Sequence, residues 1–183
     1  CGLSYLTLSL AWCFRHVFKH PVTLIGIDRD ATRVAAGRAT AAQLGLDELL
    51  TFQAGSIEAF EPEGKLHAIL SLHACDTATD DAIALGLRHA AELIAVAPCC
   101  QAELARAWAE LATSRAGPMQ PLWITPHLRR EAAATITDTM RALLLRAAGY
   151  ETRVVEFVPS PHTPKNTLIR AMRSTSTRSR PRR

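Results

Sequence analysis

The chain has 183 residues, 48% of them hydrophobic and 21% charged, a balance that suits one soluble domain with a full hydrophobic core. No window approaches 18 uninterrupted apolar residues, so the sequence predicts no membrane-spanning helix. The formal net charge of +4 resides in the last ten residues, STSTRSRPRR, which hold four arginines and no acid; the preceding 173 residues balance.

That composition divides the chain into a globular part, 1–173, and a tail, 174–183. The tail is polar, Arg-rich and aperiodic, the signature of disorder. It is either a solvated terminus or a non-specific contact to RNA phosphates. Five cysteines stand at positions 1, 13, 75, 99 and 100. An odd count with an adjacent pair suits reduced thiols, hence a cytoplasmic location, better than secreted disulfides. The first 18 residues are apolar-rich, but Arg15, His16 and Lys19 follow that stretch instead of preceding it, unlike a signal peptide.

Ser4 to about Lys19 reads as a helix with Leu6, Leu10, Phe14 and Val17 on one face. Val22–Ile27 is β-branched and suits a buried parallel strand, with Asp28 at its end. A helix follows over about Ala31–Leu44, closed by Gly45 as a left-handed cap. Leu49–Gln53 is a short strand, followed by Ala54-Gly55-Ser56-Ile57. Leu66–Leu72 is the next strand and Ala78–His89 the next helix. Between them, Thr77 and Asp80 have the T-x-x-D spacing of a capping box. Leu93–Ala97 is a strand stopped by Pro98, Ala102–Ser114 a helix, and Gly117-Pro118 a loop. Glu131–Ala148 is helical, with Ala132, Ile136, Met140, Leu143, Leu144 and Ala147 as its predicted apolar stripe. Thr152–Val158 and Thr167–Met172 are strands joined by PSPHTPKN.

Alternating strands and helices over the first 150 residues imply βαβ units and a mostly parallel sheet with helices on both faces. The last two strands have no room for a crossover between them, so they pair antiparallel. The most reactive stretch is Ser71–Asp81, SLHACDTATDD. It crowds His73, Cys75 and Asp76 into a strand-to-helix turn, where open α/β sheets bind ligands.

These segments resemble the class I, Rossmann-like S-adenosylmethionine-dependent methyltransferases, a three-layer sandwich whose sheet ends in an antiparallel pair. More narrowly, CGLSYLTLSL, IGID, AGSI, SLHACDTATD, VAPCCQ, RALLLRAAGYET and HTPKN resemble a bacterial methyltransferase-domain family with eukaryotic relatives. The His-x-Cys…Ala-Thr-Asp run and the later Cys-Cys pair are also similar to eukaryotic tRNA 2′-O-methyltransferases. In the family a strand and a G-x-G-type loop precede the first helix. The resemblance therefore implies that this chain begins within that loop, at Cys1-Gly2, with Leu3 where relatives often carry Lys.

The resemblance implies S-adenosyl-L-methionine as cofactor, held by Cys1, Gly2, Asp28, Gly55, Ser56, Ile57, Leu72 and His73. Asp28 would accept from the ribose hydroxyls, as a carboxylate at a strand end can; otherwise it caps the following helix. Gly55-Ser56-Ile57 would lie beside the adenine, or else form a simple turn. Leu72 and His73 would face the methionine part and the incoming acceptor. Methyl transfer from a sulfonium is an in-line displacement, so the protein aligns the acceptor and removes its proton where needed.

His73, with a reference pKa near neutrality, is the candidate base. Asp76 would orient it or take the proton. The plainer alternatives are a hydrogen-bonded strand-end histidine and a helix cap. Thr77 and Asp80 read as caps. Pro98, Cys99, Cys100 and Gln101 would line the acceptor pocket, with His162, Lys165 and Asn166 facing it or forming an exposed turn. A zinc site from His73, Cys75, Cys99 and Cys100 is the competing chemistry. It lacks the C-x-x-C spacing and the glutamate of zinc deaminases, and no metal is expected. The acceptor is expected to be RNA or protein, with a non-catalytic module of the same fold as the alternative.

Overall fold

The computed structural model describes residues 2–72, 77–99, 102–111, 117–159, 161–163 and 166–174. They fall into two compact units, Cys1–Glu61 and Pro62–Arg183.

The first unit contains α1 (Tyr5–Cys13), a π-helical turn (Phe14–Phe18), β1 (Leu24–Asp28), α2 (Ala31–Gln43) and β2 (Leu50–Ala54). Strands β1 and β2 pair in parallel from Leu24–Leu50 to Asp28–Ala54. The core is Ala11, Val34, Ala41, Leu46, Leu50 and Phe52, with Leu8 and Leu24 packed against it. Gly37 on α2 sits over the Phe52 ring; a Cβ there would come within 2.9 Å of it. Gly45, at φ +63°, ends α2 as expected.

The apolar face of the first helix differs from expectation. Ala11 is buried and Leu8 meets the core, whereas Val17 is exposed. Leu8 and Ala11 belong to the regular part of α1, and from Phe14 on the chain switches to π geometry. A wider turn rotates the later side chains off the line set by Leu6 and Leu10.

The second unit contains β3 (Ala68–Leu72), α3 (Thr77–Arg88), β4 (Leu93–Ala97), α4 (Ala102–Leu111), α5 (Gln120–Ile124), α6 (Pro126–Ala147), β5 (Tyr150–Glu156) and β6 (Thr167–Arg173). Its strand order is β3-β4-β6-β5. β3 and β4 are parallel, while β6 runs antiparallel to both β4 and β5. The α/β class and the antiparallel C-terminal pair hold. The parallel share is smaller than expected because β6 inserts between β4 and β5. Gly86 lets α3 approach β4 closely, since a Cβ there would stand 2.6 Å from Ile94 Cδ1. The buried Tyr150 hydroxyl donates to the Ala91 carbonyl at 2.7 Å, tying β5 to the loop before β4.

Three sequence expectations are corrected here. The short helix α5 was not anticipated; its Trp123 packs edge-to-face on Trp108 of α4 at 5.0 Å. α6 starts at Pro126, five residues before Glu131, because proline at the first helical position costs no hydrogen bond. The buried residues of α6 are Ala133, Arg141, Ala142 and Leu145. The predicted stripe members Ile136, Met140, Leu143 and Leu144 are all exposed.

Candidate functional site

The first unit places Asp28 at the carboxyl end of β1 and turns its carboxylate back onto the backbone. Oδ2 accepts from the Gly2 N–H at 2.7 Å and Oδ1 from the Asp30 N–H at 3.0 Å. Burial pushes the Asp28 carboxyl up, yet the Asp30 and Gly2 N–H groups, together with the positively charged terminal amine, outweigh it and hold the group below the usual carboxylate range. Asp28 is not the helix cap: that role belongs to Asp30, whose Oδ1 accepts from the Thr32 N–H at 2.9 Å. The plainer reading of Asp28 is thus removed.

Gly2 has φ +56°, a left-handed turn that suits glycine and aims its N–H at Asp28. At the end of β2 the Gly55 N–H donates to the Asp28 carbonyl at 2.9 Å. A Cβ on Gly55 would meet nothing within 4 Å. Ser56 Oγ accepts from the Ala59 N–H at 3.3 Å, and Ile57 is half-buried. Gly2, Asp28 and Gly55 are therefore brought together, and Ser56 is engaged in its own turn. The acceptor chemistry is of the kind a ribose uses: a carboxylate offers about four acceptor positions to hydroxyl donors.

The second unit carries the other half of the predicted residues. Leu72 ends β3 and is exposed. Cys1, His73, Cys75, Asp76, Cys100, Gln101 and Lys165 lie outside the described residues. The zinc alternative falls largely among them; among the described residues no group of three or more His, Cys, Asp or Glu side chains could hold a metal.

Pro98, buried, and Cys99, half-buried, follow β4 and line a groove of about 430 Å³. Its opposite wall is α6, through Glu131, Thr135, Asp138 and Thr139, and Val154 and Thr167 add the sheet side. The expected acceptor-pocket residues Pro98 and Cys99 are thus in a cavity wall. Asn166 is placed otherwise. Its amide nitrogen donates to Glu156 Oε1 and to the Val158 carbonyl, both at 2.9 Å, closing the β5–β6 connection. His162 is exposed in a turn in which its N–H donates to the Pro159 carbonyl. Neither lines the groove.

Asp80 also departs from its predicted role. Thr77 begins α3 as expected, but both Asp80 oxygens are taken by Arg141, at 2.7 Å from Nε and 2.7 Å from Nη2. Arg141 is 3% exposed and also donates to Asp138 Oδ1 at 3.1 Å. Sequence reading missed Arg141. The available signal is its place four residues before Leu145 and eight after Ala133, on the face that proves buried.

The methyltransferase domain family matches residues 1–107. No curated protein matches the chain. Among solved structures, a proposed rRNA methylase of Clostridium thermocellum is similar at a TM-score of 0.57 and 11% identity, over 94% of this chain and 84% of that one. The magnesium protoporphyrin IX methyltransferase of Synechocystis, solved with S-adenosylhomocysteine, is similar at 0.51 and 16% identity, over 95% and 71%. A geranyl diphosphate methyltransferase, solved with its substrate and sinefungin, is similar at 0.58 and 11% identity, over 95% and 70%. At these identities the structures establish a shared fold.

Proposed function

Because the chain belongs to the methyltransferase domain family, we propose that it is an S-adenosyl-L-methionine-dependent methyltransferase acting on RNA or protein. The observation that carries the cofactor assignment is Asp28: an ionised carboxylate at a strand end, fixed by the Gly2 and Asp30 N–H groups beside the open Gly55. In this reading Cys1 and Gly2 belong to the cofactor loop, Asp28 accepts the ribose hydroxyls, and Gly55, Ser56 and Ile57 border the adenine. When bound, the cofactor supplies an electrophilic methyl group. Leu72 and His73 serve the methionine part of the cofactor and the incoming acceptor, His73 removes the acceptor proton, and Asp76 orients His73 or takes that proton.

Pro98, Cys99, Cys100 and Gln101 bound the acceptor's place, and Lys165 contributes a polar contact from the terminal loop. The proposed rRNA methylase among the similar structures and the arginine-rich terminus favour RNA. The test is transfer of tritium from labelled S-adenosylmethionine by the full chain into separated RNA and protein fractions. Label in either fraction, abolished by His73→Ala, is the expected result. Label in neither would overturn the macromolecular acceptor, and failure to bind S-adenosylhomocysteine at millimolar concentration in calorimetry would overturn the enzyme.

A further inference from the structure

We infer that the exposed face of α6 is a self-association surface, on which a second copy of this chain packs its own α6 antiparallel. Between residues 132 and 147 the helix has five large apolar side chains. Four of them, Ile136, Met140, Leu143 and Leu144, are between 42% and 62% exposed, and only the fifth, Leu145, is buried. The three charged residues of the same stretch turn the other way. Arg141 is buried against Asp80 and Asp138. Asp138 and Arg146 line the groove, and Arg146 donates to the Thr152 carbonyl at 3.2 Å. The solvated side of a surface helix ordinarily carries the charge and its inner side the apolar stripe. In α6 the outer face is apolar and uncharged.

Spacing and charge identify the occupant. Ile136, Met140, Leu143 and Ala147 recur at intervals of four, three and four residues, the seam of two helices crossing at a shallow angle of about 20°. Ala147 is exposed like the other three. A twofold axis between Met140 and Leu143 sets Met140 against Leu143 of the second copy, and Ile136 against the small Ala147. Every contact then occurs twice, as an isologous interface requires. The flanking residues Thr137, Thr139 and Leu144 are uncharged, so no side chain near the axis meets a like charge from its own copy. The two helix dipoles oppose each other, which favours this direction over the parallel one. An RNA or an anionic membrane surface would need Lys or Arg on this face, and between residues 132 and 147 it has none. The seam is short, so the dimer exchanges with monomer, with a dissociation constant on the order of 10 μM.

The test is analytical ultracentrifugation of the full chain, at concentrations from well below to well above that constant. It compares the wild type with Met140→Glu, Met140→Lys and Leu144→Glu. The wild type is expected to show a reversible monomer–dimer equilibrium, weakened at least about tenfold in each variant alone. Mixing Met140→Glu with Met140→Lys should restore association, because opposite charges then meet across the axis. Below the dissociation constant the urea midpoints of all variants should stay close to that of the wild type, since both side chains are exposed in the protomer. That measurement separates lost association from lost folding, and if the Met140 variants do not fold, Leu144→Glu decides. A wild type that stays monomeric throughout would overturn the second copy as occupant and leave the face to a different partner. Association that none of the substitutions moves, or a mixture as weak as its components, would overturn its placement on α6.

Discussion

Asp28 and Asp30 are two residues apart, identical in chemistry and different in role. Asp30 has extended backbone and accepts from the first turn of α2, so it caps. Asp28 is half-buried, and its oxygens face Gly2 and Asp30. Asp28→Ala is expected to weaken S-adenosylhomocysteine binding about tenfold or more, since hydrogen bonds to a charged group contribute about 1.5–3 kcal/mol each; calorimetry on the full chain checks this. The same carboxylate makes stability pH-dependent. Its pKa in the fold lies below the ordinary 3.8, so its stabilisation is complete above that value and is lost as pH falls below it. The stability difference between wild type and Asp28→Asn should therefore be constant from pH 7 to about 5 and shrink on further acidification. Denaturant titrations at each pH measure it. Asp28 was legible in the sequence because it ends a strand; that Asp30 takes the capping role was not, because both aspartates precede the same helix.

At the scale of elements, α6 carries the largest disagreement between pattern and packing. Ile136, Met140, Leu143 and Leu144 follow a helical period, yet the buried set is Ala133, Arg141, Ala142 and Leu145. The buried face is chosen by the Arg141 ion pair and by small alanines that admit close approach, features that a hydrophobic count scores as weak. Leu145→Ala should cost about 2–5 kcal/mol, as for other fully buried leucines. Leu144→Glu, one residue away and 62% exposed, should change stability by no more than about 0.5 kcal/mol. Urea denaturation of the two variants distinguishes the faces. Residues 73–76, 100 and 101 are the part of the candidate site for which sequence remains the guide, since they lie outside the described residues.

At the scale of the whole molecule, charge separates the globular part from the tail. If RNA is the acceptor, removing residues 174–183 should weaken RNA binding and flatten its salt dependence. Each phosphate contact to a single strand contributes about 0.7 to the slope of log affinity against log salt. Losing four arginines therefore lowers that slope by up to about 3, measurable by filter binding at several salt concentrations. Among the described residues no helix is long and apolar enough to cross a membrane. The sequence by itself determined the order of the strands and of the helices other than α5, the antiparallel C-terminal pair and the strand-end position of Asp28, because these depend on local periodicity, chain length between elements and turn chemistry. Only the tertiary structure decided which face of α6 is buried, that β6 lies between β4 and β5, and that Asp80 belongs to Arg141, 61 residues away. Those outcomes depend on partners distant in sequence, and a side chain's local pattern does not say which of them it will meet.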